Sequence, residues 1–294
     1  MATFKAYPNG LTMGVGNAAP VGGKRAAVTG WSAASVRRHK RWLYGVETPG
    51  LTGPGSGVTL TLRDTPANHE DWRDLVARLL DRLRHAGMVR WHWVVEWQRR
   101  GTPHLHMAVY GPEGLSADSV GELVVRHWLD LTRDAYGAGR LAQVHVEITG
   151  PTGWLKYLSK HASRGVAHYQ RQGMPRGWTK SGRLWGYGGD WPITAPIEGV
   201  LTMEQFWQVR RMVRRYAIAQ ARAAALGYAA NPATSSKAPA AWASVAHLRR
   251  LLRNPDRSTS SVRGVSDWCP VPVAVDLMVW AGWSGELSPV AATV

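Results

Sequence analysis

A single cysteine, Cys269, stands in 294 residues. It excludes an internal disulfide and any zinc cluster built on cysteines, and it fits a reducing cytoplasm. No run approaches the ~18 consecutive apolar residues of a membrane helix, so no membrane partner is expected. The amino-terminal stretch lacks the apolar core of a signal peptide, and the expected location is cytoplasmic. Gly23-Lys24-Arg25 lacks the upstream glycine and the following Ser or Thr of a phosphate-binding loop, so no nucleotide-driven motor is expected. No internal repeat is present. Acidic residues are few: 20 Asp and Glu against 36 Lys and Arg, for a formal charge of +16.

That imbalance is uneven along the chain. Residues 1–46 carry seven Lys or Arg and no acid, and residues 201–253 carry nine against Glu204 alone. Together they hold nearly all of the excess. A sequence pI near 10.6 points to a polyanionic partner, and the distribution suits flanks that grip phosphates around a nearly balanced centre. Arg37, Arg38, Lys40 and Arg41 gather on an expected helix over 32–44. Arg210, Arg211, Arg214 and Arg215 gather on a second, over 203–225. Both quartets are candidate DNA-binding groups. Residues 165–200 interleave Arg171, Arg176 and Arg183 with Trp178, Trp185, Tyr187 and Trp191, a mixture that suits single-stranded DNA or a tryptophan-rich core equally.

Between the flanks the periodicity alternates. Thr59–Arg63 reads as a strand, 70–85 as an amphipathic helix, 89–97 and 105–110 as strands, 116–136 as a helix and 144–148 as a strand. The order β-α-β-β-α-β, with a further helix behind it, predicts an α+β domain with a ferredoxin- or RRM-like antiparallel sheet and helices on one face. Composition divides the chain linearly into a basic amino-terminal arm (1–56), this domain (57–200), a basic helical extension (201–254) and a tail (255–294). Residues 1–31, rich in Gly, Ala and Pro, are expected to be irregular, and the apolar stretch 271–283 is unexplained.

The chemistry concentrates at Glu96-Trp97-Gln98-Arg99-Arg100-Gly101-Thr102-Pro103-His104-Leu105-His106. Strand side chains alternate faces, so His104 and His106 point to the same side. Gly101 and Pro103 separate two apolar runs and predict a hairpin turn. Antiparallel pairing then sets Glu96 beside His104. Two imidazoles and a carboxylate on one face make a divalent-metal site with open positions, although a lone His-x-His pair is more often coincidence. His92, on the same strand face, reads as a further ligand or as plain packing. His145 and Glu147 are equally open. Downstream, Trp154, Leu155 and Leu158 fit one helix face, and Tyr157, Lys160 and His161 lie together on another. Alone, that helix is an ordinary amphipathic one.

Taken together, Thr59-Leu60-Thr61-Leu62, His104-Leu105-His106 and Tyr157-Leu158-Ser159-Lys160 resemble, in order and spacing, the three motifs of the HUH endonuclease superfamily. Within it they are most similar to the single-tyrosine rolling-circle replication initiators of plasmids and phages. The resemblance covers residues 57–165, and Leu184-Trp185-Gly186-Tyr187 is similar to an element of the phage-type members. It implies Mg²⁺ or Mn²⁺ held by Glu96, His104 and His106, Tyr157 as the nucleophile and Lys160 as its helper. It also implies a single-stranded origin, usually a hairpin, a 5′-phosphotyrosine intermediate that permits later rejoining, and host polymerase and helicase as partners. A single-tyrosine transposase shares this pattern. A relaxase usually places its tyrosine before the histidines, where only Tyr7 and Tyr44 stand without a motif. A non-catalytic basic DNA-binding protein is the reading from another class.

Overall fold

The computed structural model describes residues 1–16, 27–150, 154–155, 169–230, 264–285 and 288–289. In chain order the strands are β1 (Ala2–Tyr7), β2 (Gly10–Gly14), β3 (Gly55–Thr61), β4 (Arg90–Trp97), β5 (Pro103–Tyr110), β6 (Val144–Glu147), β7 (Trp185–Gly189), β8 (Ile197–Leu201), β9 (Val265–Trp268) and β10 (Ser288–Pro289). The helices are α1 (Ala33–Gly45), α2 (His69–His85), α3 (Ala117–Tyr136), α4 (Tyr169–Gln172), α5 (Met203–Ala230) and α6 (Val271–Trp280). The class is α+β, with two antiparallel sheets. The chain divides into two units: Met1–Val21, Arg41–Glu47 and Ile193–Val294 in one, Gly22–Lys40 and Thr48–Pro192 in the other.

The second unit carries the predicted β-α-β-β-α-β succession as a sheet in the order β6-β3-β5-β4-β7, every neighbour antiparallel. The two long helices begin on side-chain caps: Asn68 accepts from the Asp71 amide at 2.8 Å, and Ser116 from the Ser119 amide at 3.0 Å. α3 ends on Gly137, whose φ of 60° is the left-handed conformation glycine takes at little cost. Both helices pack on the face opposite the histidines. There Gly121 of α3 lies against Ser56 and His145, and Trp72 of α2 meets Trp128 of α3 edge to face.

The expectation of helices on one face alone is corrected. All eight residues of β4 are buried, as in a strand covered on both sides. His39 of α1, Trp154 and Gln170 of α4 lie over the histidine face. The strand β7 extends the sheet past β4. Its Gly186 and Gly188 have no side chain where the rings of Trp93 and Trp91 lie.

Residues 1–31 are not uniformly irregular: β1 and β2 form a hairpin. β1 pairs with β8, and β2 with β9, in a sheet ordered β10-β8-β1-β2-β9. Phe4, Leu11 and Met13 bury one face of the hairpin against Phe206 of α5 and Met278 of α6. The apolar stretch at 271–283 therefore closes a core. The linear division into arm, extension and tail gives way to this unit, because its strands find partners at the far end of the chain, beyond the reach of local composition. Residues 231–263, including the linker and short helix expected there, lie outside the described residues.

Candidate metal and DNA site

The predicted hairpin forms β4 and β5. Gly101 takes φ 89°, and its amide donates to the Gln98 carbonyl at 2.9 Å, closing the turn. The register pairs Glu96 with His104 and Val94 with His106. On the other flank β3 pairs Thr61 with His104 and Thr59 with His106. Each imidazole therefore has a threonine across from it on the same face. The Thr61 hydroxyl lies 2.9 Å from His104 Nδ1, and the Thr59 hydroxyl 3.2 Å from His106 Nδ1. These contacts fix both ring orientations and turn Nε2 into the site. Such support is what metal-ligating histidines generally need.

Glu96 is buried, and its Oε2 lies 3.6 Å from His106 Nε2. The amide of Gln170 donates to the same oxygen at 3.2 Å. The two imidazole rings meet edge to face, 4.5 Å between centroids. The contacts run pairwise, Glu96 to His106 and His106 to His104. Among the described residues no three His, Cys, Asp or Glu are drawn into one metal-binding cluster. In donor chemistry, two oriented imidazoles beside a buried carboxylate suit Mn²⁺, and a carboxylate with open positions for water and phosphate suits Mg²⁺.

Threonine spacing could have announced Thr59 and Thr61 as supports, since they repeat the two-residue step of the histidines on the neighbouring strand. Gln143 carried no such signal. Its side chain accepts from the Thr61 amide at 2.8 Å and donates to the Thr61 carbonyl at 3.1 Å, continuing the ladder where β6 stops. Gln170 was equally silent.

His92 lies on this face but pairs with His39 of α1. The two Nε2 atoms are 2.9 Å apart, the rings are stacked and both residues are fully buried. Burial pushes the His92 imidazole down to about 3. It is a packing group, not a ligand of the Glu96 set. His145 points to the opposite face, where its Nε2 lies 3.0 Å from Glu122 of α3.

Tyr157 and Lys160 lie outside the described residues. The start of their segment does not: Trp154 and Leu155 are helical. A Cβ on Gly57 would stand 2.4 Å from the Trp154 ring. Gly57 shares the face of Thr59 and Thr61 by alternation, so Trp154 lies on the histidine face. Further along this face Trp185 and Tyr187 stack at 6.4 Å, with Tyr187 about half exposed.

The basic quartets are distributed differently. Arg38 and Arg41 of α1 are exposed, whereas Arg37 and Lys40 are half-buried. Arg41 groups with the first unit and the other three with the second. On α5, Arg211 and Arg215 are exposed, and Arg210 lies over the Trp207 ring at 5.2 Å. No helix among the described residues is long and apolar enough to cross a membrane.

The family model for replication-associated proteins of the ORF2 type matches residues 56–165, which contain β3 to β6 and the histidine pair. The replication-associated protein of Pseudomonas phage Pf3 is 36% identical over 277 residues, 92% of this chain and 93% of that protein. Two provisionally named replication proteins of Xylella fastidiosa are similar to the same degree. That of strain 9a5c is 36% identical over 93% of this chain and 94% of its own length. That of strain Temecula1 is 36% identical over 91% of this chain and 99% of its own. No solved structure matches the chain. With near-complete coverage in both directions, the chain belongs to the phage replication-associated protein family that includes the Pf3 protein.

Proposed function

We propose that this protein initiates rolling-circle replication by nicking single-stranded origin DNA through a metal-assisted attack of Tyr157, on a fold of the HUH endonuclease kind. The observation that carries the reading is the pairing of Glu96 with His104 and of both histidines with threonine hydroxyls, on the face where Trp154 begins the tyrosine segment. The relatives' names support a role in replication, and the succession of β3, α2, β4, β5, α3 and β6 supports the fold.

Glu96, His104 and His106 would hold Mg²⁺ or Mn²⁺. A bound divalent ion would draw charge from a non-bridging phosphate oxygen of the scissile bond. The chain's own residues supply the rest. Thr59 and Thr61 keep the imidazoles in one orientation, and Gln170 holds the Glu96 carboxylate. The Tyr157 oxygen attacks phosphorus, the phosphorus–O3′ bond breaks and the proton leaves on the 3′-hydroxyl. The 5′ end stays on the tyrosine as a phosphodiester of similar energy, so rejoining needs no ATP. A phenol of ordinary pKa near ~10 needs a nearby cation to react at neutral pH, and Lys160, one turn on in the sequence, fits that role. The free 3′-hydroxyl would then prime a host polymerase, with a host helicase opening the duplex. Tyr187, stacked on Trp185, offers a ring for an unpaired base.

The relaxase alternative loses its candidates. Tyr7 and Tyr44 are both buried, and burial raises both phenols, Tyr44 well above the ordinary tyrosine value. Both are poor nucleophiles. A transposase would share the chemistry but not the relatives' names.

The test is a denaturing gel of the full chain with labelled single-stranded origin DNA. A slow-migrating covalent adduct should form with Mn²⁺, disappear with EDTA and disappear in Tyr157→Phe. An adduct that survives Tyr157→Phe would move the nucleophile elsewhere. Salt-sensitive binding without any adduct would leave a DNA-binding protein with no catalysis.

A further inference from the structure

The first unit presents a cleft that the nicking chemistry does not use. α5 buries Phe206, Val209 and Val213 in the core of its unit and turns Gln208, Arg211, Met212 and Arg215 outward along one flank. α6 buries Ala274 and Met278 and ends on Trp280. Those four α5 residues and Trp280 line an open cleft of about 450 Å³.

Two features of this cleft are unusual together. Trp280 is 71% exposed, a large apolar ring left in water at the end of a helix whose other face is core. Arg211 and Arg215 stand one helical turn apart, about 5.4 Å along the axis, on the facing wall. Among the described residues no Asp or Glu lines the cleft. The nearest acid of α5, Glu204, accepts from Gln208 at 3.4 Å, one turn back toward the helix start. Arg210, by contrast, is spent on the Trp207 ring, and burial and then Arg214 lower its pKa. The basic run on α5 is therefore two pairs with different tasks, and only Arg211 and Arg215 share a cleft with an exposed aromatic.

A ligand suited to this wall carries closely spaced negative charges and a flat apolar face. Single-stranded DNA has both: phosphates that repeat along the strand, and unpaired bases that stack on aromatic rings. Duplex DNA offers the phosphates but keeps its bases in the stack. An anionic membrane surface offers charge and apolar depth, but a concave cleft fits a strand better than a flat sheet of headgroups. We propose that this cleft is a second contact for single-stranded DNA, in which Trp280 stacks on one base and Arg211 and Arg215 hold the adjoining phosphates. The proposal rests on the reading of this protein as one that acts on DNA.

The experiment is fluorescence anisotropy of the full chain with a labelled single-stranded origin oligonucleotide, in EDTA to prevent nicking, across a range of KCl. Trp280→Ala should weaken binding roughly ten-fold, with the salt slope unchanged, since a stacked base carries no counterion. Trp280→Phe should recover most of that loss. The double variant Arg211→Ala/Arg215→Ala should flatten the plot of log K against log salt by about 1.4, at about 0.7 per phosphate lost. An unchanged affinity in Trp280→Ala, or an equal loss on the matching duplex, would overturn the stacking contact. An unchanged slope in the arginine variant would overturn the phosphate contact. Loss of binding to phosphatidylserine vesicles in these variants, with oligonucleotide binding intact, would overturn the assignment to DNA. The wild-type nicking gel is independent of these outcomes. If it shows no adduct while these variants behave as expected, the nicking reading fails and the second contact stands.

Discussion

The hydroxyls of Thr59 and Thr61 decide how His104 and His106 face the site, and they make a sharper test than the histidines themselves. Thr61→Val keeps the shape of the side chain and the β pairing but removes the oxygen 2.9 Å from His104 Nδ1. With its orienting partner gone, the imidazole should bind Mn²⁺ roughly ten- to hundred-fold more weakly. Calorimetric titration of the variant, with circular dichroism unchanged, measures this. Full-strength binding would mean that the threonine does not tune the ring. The His39–His92 pair carries a different signature. His92 stays neutral in the fold, down to about 3, whereas an unfolded histidine takes up a proton near ~6.5. The unfolded chain thus binds the extra proton as pH falls, and stability is full above that unfolded value and drains below it. Between pH 7 and pH 5 the loss should be about 2 kcal/mol in urea unfolding, and His92→Gln should remove most of that pH dependence. Glu96 and the two histidines were legible in the sequence because the step of two along a strand and a glycine turn suffice to align them. His39 was not, because nothing in the sequence of α1 says which buried group it meets.

Among the elements, the segment that carries Tyr157 is anchored where Trp154 crosses β3, and the anchor depends on Gly57 lacking a side chain. A methyl there would come within 2.4 Å of the ring and force it off the sheet. Gly57→Ala should therefore cut adduct formation several-fold while Mn²⁺ binding at Glu96, His104 and His106 stays as in the parent. A parallel loss of metal binding would mean that the substitution disturbs β3 itself and not the helix upon it. This contact was hidden in the sequence, where Gly57 reads as a weak strand residue and Trp154 as one apolar position of a helix. Their meeting is a tertiary event. The helices α2 and α3, by contrast, were legible from cap to cap, since Asn68, Ser116 and Gly137 mark their ends by chemistry that acts within a few residues. The β1–β2 hairpin shows the opposite limit. Its five- and six-residue strands have modest local signals and become strands by pairing with β8 and β9.

At the scale of the whole molecule, both ends of the chain meet in one sheet, and that sheet is closed by residues the linear reading had set apart. Phe4 of β1 lies edge to face with Trp283, just past α6, at 5.3 Å. Gly199 of β8 lies beneath both rings, so a side chain there would displace one of them. Phe4→Ala should cost about 3–5 kcal/mol, as for a buried phenylalanine whose cavity cannot collapse between two fixed aromatic neighbours. The buried residues packed with Phe4 belong to the first unit, and none is Glu96, His104 or His106. Calorimetry of Phe4→Ala should therefore lower the unfolding of one unit and leave the Mn²⁺ binding of the other at its parental affinity. Joint loss of both would show that the site needs the second sheet for its stability. The excess of positive charge sharpens the same point. The basic runs near residue 40 and near residue 212 were read as arms on either side of a core, yet Arg41 and the α5 arginines group in a single folded unit. A charge pattern in sequence reports how much phosphate a chain can hold; which unit holds it is decided by strand pairing that only the fold supplies.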